Sequence, residues 1–194
     1  MGADIYLASQ SPRRRALLEQ LGVRFAVCIA DVDESLIVGE SPQDYVQRLA
    51  LAKANVIWQS LSEQERRPVL GADTTVCLSG EILGKPANKN EAIDMLQRLS
   101  GQQHEVISGI AILGEKCSVC VNVSQVSFRV LSPAEIEAYW ETGEPRDKAG
   151  SYAIQGYAAA FISALQGSYT GVMGLPLYET ANLLSEHNIP IWQS

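Results

Sequence analysis

An apolar strand-like run at residues 5–8 turns through Ser-Gln-Ser into Pro12 and three consecutive arginines, Arg13, Arg14 and Arg15. This places a cationic cluster at the start of a helix, and few folds have a use for one there. Pro12 suits the first helical position and Ser11 the cap. Leu17, Leu18 and Leu21 supply a buried stripe before Gly22 stops the helix. A helix N-terminus already carries roughly half a positive charge, so cations are favoured at the other end. Two like charges about 4 Å apart repel by roughly 4 kcal/mol at the effective dielectric of a protein surface. Solvation is enough to explain any single arginine here, but the three together call for an anion. Backbone N–H groups and guanidinium forks around a tight turn suit phosphate.

With 194 residues, 46% of them hydrophobic and 19% charged, the chain has the size and composition of one globular domain, expected to span 1–194. Its apolar stretches are too short and broken for a membrane span, and the N-terminus lacks a basic leader before an apolar run. Met1-Gly2 is followed by Tyr6 where a myristoylation signal wants Ser or Thr, and a cytoplasmic location is expected. A net charge of −7 argues against membrane association and against stable nucleic-acid binding, which needs many phosphate contacts on one basic face. Cys28, Cys77, Cys117 and Cys120 occupy apolar strand-like settings and read as small core residues of a reduced protein. Cys117 and Cys120 form a lone CxxC whose members point to opposite faces of a strand. His104 and His187 have no metal-ligand spacing, and His187 is expected near the exposed end of a helix.

Val23, Phe25 and Val27 alternate as a strand, and an acidic loop with Asp31, Asp33 and Glu34 follows. A helix capped at Ser41 carries Val46, Leu49, Ala50, Val56 and Ile57 at helical spacing, with Lys53 inside the run. Residues 69–78 read as a buried strand interrupted by Asp73, and Ser79-Gly80 turns the chain into residues 81–85. Further on, a helix is predicted at 89–99, strands at 104–113 and 117–131, and a capping-box helix from Ser132 to Gly143. A charged loop at 143–156, a strand at 158–165 and a closing helix at 175–186 complete the reading. The long adjacent strands imply a mixed sheet in one α/β unit. Trp140, Tyr152 and Tyr157 are assigned to the core.

Asp73 is the second constraint, because an ionised carboxylate in an apolar strand is costly unless it is paired or holds a cation. Capping a turn or pairing with a core arginine would satisfy it, and Lys53 or Lys85 is an available partner. Arg13, Arg14, Lys53 and Lys85 can neutralise a polyphosphate, while Glu34 and Asp73 can hold a hard divalent ion and orient a water. No Walker loop and no GxGxxG fingerprint occurs.

SQSPRRRALLEQLG (9–22), LALAKA (49–54), GADTTV (71–76), GKP (84–86), TGEP and DKAGSYAIQG (142–156) and GLPLYET (174–180) occur in this order. Together they closely resemble the Maf family of nucleoside triphosphate pyrophosphatases over almost the whole chain. Gln10 departs from the pattern, standing where the family more often has a small residue. The resemblance implies a mixed α/β fold of the Maf/inosine triphosphatase-like kind, with an elongated, strongly bent sheet flanked by helices and a central cleft. It also implies hydrolysis of a nucleoside triphosphate to the monophosphate and pyrophosphate with Mg²⁺ or Mn²⁺, and a homodimer.

On matching positions, Asp73 is then the proton acceptor and Glu34 assists at metal or water, both being metal ligands. Arg14, Lys53 and Lys85 contact phosphates, with Ser9 and Ser11 completing the substrate-facing set. Arg13, Thr74 and Gln155 match the specificity positions of the branch acting on dTTP and UTP; the 7-methyl-GTP branch carries a bulky aromatic after the proline. Gln155 offers a donor and an acceptor for the O4 and N3–H of thymine or uracil. Nucleotide-pool sanitation and arrest of cell division are the roles that the resemblance suggests. The alternatives are a non-catalytic, nucleotide-sensing regulator of septum formation and a 7-methyl-GTP pyrophosphatase.

Overall fold

Val69–Leu78, in which valines and threonines favour a strand on either side of Gly71, Ala72 and Asp73, forms the strand on which the site is organised. The computed structural model describes residues 2–192; Met1 of the Met1-Gly2 signature and residues 193–194 of the expected domain lie outside them. Among the described residues one mixed sheet contains β1 (Ile5–Ala8), β2 (Phe25–Cys28), β3 (Val69–Leu78), β4 (Glu81–Leu83), β5 (Gln103–Leu113), β6 (Cys117–Phe128) and β7 (Ile162–Gln166). The lateral order is β2-β1-β3-β5-β6-β7, with β4 also on β3. β1 runs parallel to β2 and β3, and the remaining pairs are antiparallel.

The helices are α1 (Pro12–Gln20), α2 (Pro42–Ser60), α3 (Lys89–Leu99), α4 (Pro133–Glu141), α5 (Tyr169–Met173) and α6 (Leu177–Glu186). Ser11, Ser41 and Ser132 accept N–H bonds from the third residue of α1, α2 and α4, each with proline at the first position. At α4 the Glu135 side chain completes a capping box.

Alternation along β3 and β5 sorts the core. On one face Leu70, Ala72, Ile110 and Ile112 join Leu17 and Leu18 of α1 and Leu183 and Leu184 of α6. Further along the same face Val76 and Val106 join Leu96, Leu99 and Ile136 from α3 and α4. The cross-strand pair Thr74 and Ser108 separates these two apolar clusters. α2 lies over the other face, and two glycines let it come close. A Cβ at Gly71 would sit 2.1 Å from the Ala50 carbonyl oxygen, and one at Gly109 would sit 2.5 Å from that of Val46.

The edge of β3 opposite β5 changes partner along its length. β1 pairs with it at Val69 and Leu70, and β4 pairs with it from Val76 to Leu78. Between them, residues 71–75 have no strand on that side among the described residues, and a crevice opens there.

Several boundaries differ from the sequence reading. The stretch at 158–165 is not one strand: Tyr157–Phe161 is a 3-10 turn and β7 begins at Ile162. The Glu144 carboxylate accepts from the N–H groups of Tyr157 and Ala158, capping this turn, and the three alanines add little strand preference. α6 starts at Leu177 rather than at 175, because Gly174 (φ 116°) ends the short helix α5 and Pro176 caps the next. β6 stops at Phe128, beside a register shift at Ser127/Phe128. Tyr152 is core as expected, whereas Tyr157 is 70% exposed and Trp140 is half-buried with Arg146 over its ring. Cys77 is buried, but Cys117 is exposed and Cys28 and Cys120 are intermediate; all four are free thiols. His187 caps α6 half-buried, with Nε2 3.1 Å from the Ser118 hydroxyl.

Candidate active site

The crevice beside residues 71–75 is a cavity of about 690 Å³. Its walls come from the ends of the elements that leave it: the turn after β1 with the start of α1, the Glu34 loop, α2, β3, the segment after β4, the 147–155 loop and the end of α5. All ten residues singled out from the sequence line it: Ser9, Ser11, Arg13, Arg14, Glu34, Lys53, Asp73, Thr74, Lys85 and Gln155.

On the α2 side, Lys53 and Asp73 are each only 8% exposed. The Lys53 ammonium donates to Asp73 Oδ1 at 2.7 Å and lies 2.6 Å from Glu34 Oε1. The close seating of α2 over Gly71 and Gly109 places Lys53 at this depth. One ammonium thus joins a strand carboxylate to a loop carboxylate, satisfying the charge that the apolar strand would otherwise strand. Asp73 Oδ2 makes no hydrogen bond to the described residues. Desolvation is the largest influence on Glu34 and pushes its carboxyl up, yet the Lys53 hydrogen bond and the charges of Lys53, Lys85 and Arg14 outweigh it. The net result lies below the ordinary glutamate value. Lys85 Nζ stands 3.8 Å from Glu34 Oε2. The Tyr45 hydroxyl donates to the Glu34 carbonyl at 3.0 Å, and its pKa is pushed up to about 12 by burial first and then by Asp73 and Glu34.

On the opposite side of the strand, the arginines of α1 meet the carbonyl end of α5. Arg14 Nε donates to the Gly174 carbonyl at 2.8 Å, Nη1 to Ser9 Oγ at 3.3 Å and Nη2 to Thr74 Oγ1 at 3.2 Å. Thr74 and Ser108 hydroxyls are 2.7 Å apart, and Ser108 donates to the Gly171 carbonyl at 2.7 Å. Since Ser108 spends its proton on Gly171, Thr74 is the donor between the two hydroxyls and accepts from Arg14. Arg13 Nε reaches the Met173 carbonyl at 3.4 Å. Burial lowers the pKa of both guanidiniums, opposed by Asp147 at Arg13 and chiefly by Asp73 at Arg14. Among the described residues neither has a carboxylate within 4 Å, whereas Arg15 turns outward to Glu19 at 3.8 Å. The helix start is therefore held by carbonyls and hydroxyls, which leaves its charge for an anion.

Gln155 lines the cavity, exposed, and its amide bonds to no described residue. Tyr45, Ser108, Asp147 and Lys148 are the residues that sequence reasoning did not single out. Tyr45, Asp147 and Lys148 line the cavity and Ser108 anchors Thr74. Asp147 and Lys148 stand within the DKAGSYAIQG segment, so the signal was present without a role; Tyr45 and Ser108 gave none.

The two carboxylates on Lys53 are also the donor set to weigh for a metal. Among the described residues no group of three or more His, Cys, Asp or Glu gathers. Magnesium commonly takes one or two carboxylates and completes its shell with water and substrate phosphate, and that demand the Asp73 and Glu34 pair fits.

Comparisons with known proteins agree with this architecture. The family model described as Maf-like protein matches residues 4–187. The dTTP/UTP pyrophosphatase of Alkalilimnicola ehrlichii is 53% identical over 188 residues, covering 95% of this chain and 93% of the relative. That of Pseudoalteromonas atlantica is 51% identical over 187 residues, covering 95% and 97%. The Saccharophagus degradans protein of the same name is 50% identical over 194 residues, covering 99% and 92%. A match spanning both walls of the cavity, with relatives this similar along nearly their whole length, shows that the chain belongs to the Maf-like protein family.

Proposed function

We propose that this chain, a single domain over 1–194, hydrolyses dTTP and UTP to the monophosphate and pyrophosphate, a reading supported by relatives that bear the name dTTP/UTP pyrophosphatase. The observation that carries this reading is the Lys53-bridged pair of Asp73 and Glu34 in the same cavity as two arginines that lack carboxylate partners among the described residues. Arg13, Arg14 and Lys85 bind the triphosphate and neutralise the pyrophosphate as it leaves, with the start of α1 adding its dipole. Asp73 accepts the proton of the attacking water, which adds across the α–β anhydride, at the oxygen that Lys53 does not occupy. Lys53 bridges Asp73 and Glu34 and holds the two carboxylates in register. Asp73 and Glu34 would hold a divalent cation, Mg²⁺ or Mn²⁺, which when bound supplies further charge neutralisation at the phosphates. Gln155 reads the base with one donor and one acceptor, the complement of the O4 and N3–H of uracil or thymine. The proposal includes a homodimer and a cytoplasmic role in clearing unwanted nucleotides; no helix among the described residues is long and apolar enough to cross a membrane.

The test is to incubate the purified protein and its Asp73→Asn variant with dTTP, UTP, CTP, dATP, GTP and 7-methyl-GTP in Mg²⁺ or Mn²⁺, identifying the phosphate product. Pyrophosphate release chiefly from dTTP and UTP, reduced at least about a hundredfold in the variant, is expected. Preference for 7-methyl-GTP overturns the base assignment, retained activity in the variant moves the base to Glu34, and no hydrolysis of any nucleotide leaves a nucleotide-sensing protein.

A further inference from the structure

Beyond the groups that face phosphate, Glu144 is placed as a clamp. It opens the 3-10 turn Glu144–Asp147 that follows α4. Its Oε1 accepts from the Tyr139 hydroxyl at 2.7 Å and from the Ala158 N–H at 3.3 Å, and its Oε2 accepts from the Tyr157 N–H at 2.9 Å. The Tyr139 oxygen in turn accepts from the Ala153 N–H at 3.3 Å. Both ends of segment 153–158 are therefore fastened to one Tyr139–Glu144 pair. Between those ends, Gly156 N–H donates to the Ala153 carbonyl at 3.1 Å, closing a tight turn with Ile154 and Gln155 at its two central positions. Glu144 also fills the space in which a Cβ on Gly156 would lie, 1.9 Å from Oε2, so the residue after Gln155 must be glycine while Glu144 stays in place. Tyr139 is 3% exposed, and its ring packs edge-on against Phe161 with centroids 5.0 Å apart, which gives the clamp a rigid base. Burial, and next the bond to Glu144, raise its pKa and keep it a donor. Gln155 is held by its backbone alone, its own amide having no partner among the described residues.

We infer that Glu144, with Tyr139, is a positioning residue for base selection: it fixes the 153–156 turn and thereby where Gln155 stands in the cavity. The inference rests on the proposed role of Gln155. Glu144 is not among the residues that line the cavity, so it acts through the turn.

The experiment compares steady-state hydrolysis of UTP, dTTP, CTP and GTP by the full chain and by Glu144→Ala, Glu144→Gln, Tyr139→Phe, Gln155→Ala and the double variant Glu144→Ala/Gln155→Ala, with thermal unfolding of each. Glu144→Ala should lower the UTP-over-GTP ratio of kcat/KM about tenfold, through KM, with kcat for UTP within about threefold of the parent, because a turn that shifts no longer sets the depth at which a pyrimidine rather than a larger purine meets Gln155. Glu144→Gln, which keeps one acceptor oxygen, should recover part of that ratio. The double variant should discriminate no worse than Gln155→Ala, because both changes remove one function. Loss of rate in equal proportion on every nucleotide, with the ratio unchanged, shows a structural role only and overturns the inference. If Glu144→Ala does not fold, Tyr139→Phe and Glu144→Gln decide in the same way. An unchanged ratio in Gln155→Ala overturns the assignment of Gln155 itself, whereas a change there and none in the clamp variants overturns this inference alone.

Discussion

His104 shows how far a single buried residue can set the conditions under which this fold survives. It lies in β5 at 2% exposure, edge-on to Phe128 and Tyr152, with Nε2 2.8 Å from the Tyr152 hydroxyl and Nδ1 buried without a partner among the described residues. Burial depresses its pKa to about 4. The folded state thus holds the neutral ring where the unfolded chain, titrating near 6.5, takes up a proton. The stability that His104 contributes is complete above about pH 6.5 and is lost as pH falls towards 4, by roughly 3 kcal/mol in total. Ring resonances that stay neutral down to about pH 4 would check this; titration near 6.5 would refute it. Asp73 and Lys53 were legible in the sequence because each is a charge within an apolar run, which physics forbids without a partner. Glu34 was read as a partner of Asp73 for a divalent ion, but composition alone did not separate it from Asp31 and Asp33 in the same acidic loop, and its assisting role at the water came from the resemblance. Ser108 was invisible because the hydroxyl that explains it, Thr74, is 34 residues away in the chain.

At the scale of elements, the two glycines under α2 control the chemistry without touching it. Gly109 stands opposite Asp73 in the β3–β5 register, and the helix backbone rests where its side chain would be. Gly109→Ala puts a methyl 2.5 Å from the Val46 carbonyl oxygen, so the helix must lift. A destabilisation of about 1–3 kcal/mol is expected from the overpacking, together with a fall in kcat as Lys53 withdraws from Asp73. Urea unfolding and steady-state assays check it, and full activity in the variant would show that the approach of α2 is not what sets the lysine. Helices with a cap and a clear apolar stripe, such as α1 and α4, could be read from the sequence almost to the residue. The 157–161 turn and α5 could not, since a distant carboxylate caps the first and a serine-capped five-residue turn carries no periodicity.

Across the whole molecule, an acidic chain of net charge −7 keeps a local concentration of cations at the join of two apolar clusters. The mixed sheet was legible from its long neighbouring strands. The crevice was not, because it arises from β1 and β4 sharing one edge of β3, which is a matter of pairing rather than of pattern. That shared edge has a consequence for solvent exchange. Main-chain amides of residues 72–75 that point away from β5 have no strand to protect them, unlike those bonded across to it. Their deuterium uptake should be rapid in the free protein and should slow when saturating dTTP is added to the Asp73→Asn variant, whose turnover is expected to be at least about a hundredfold slower. Uptake unchanged by nucleotide would place the ligand elsewhere. The backbone of the strand is thus its own isotope-readable gauge of whether the space beside it is filled.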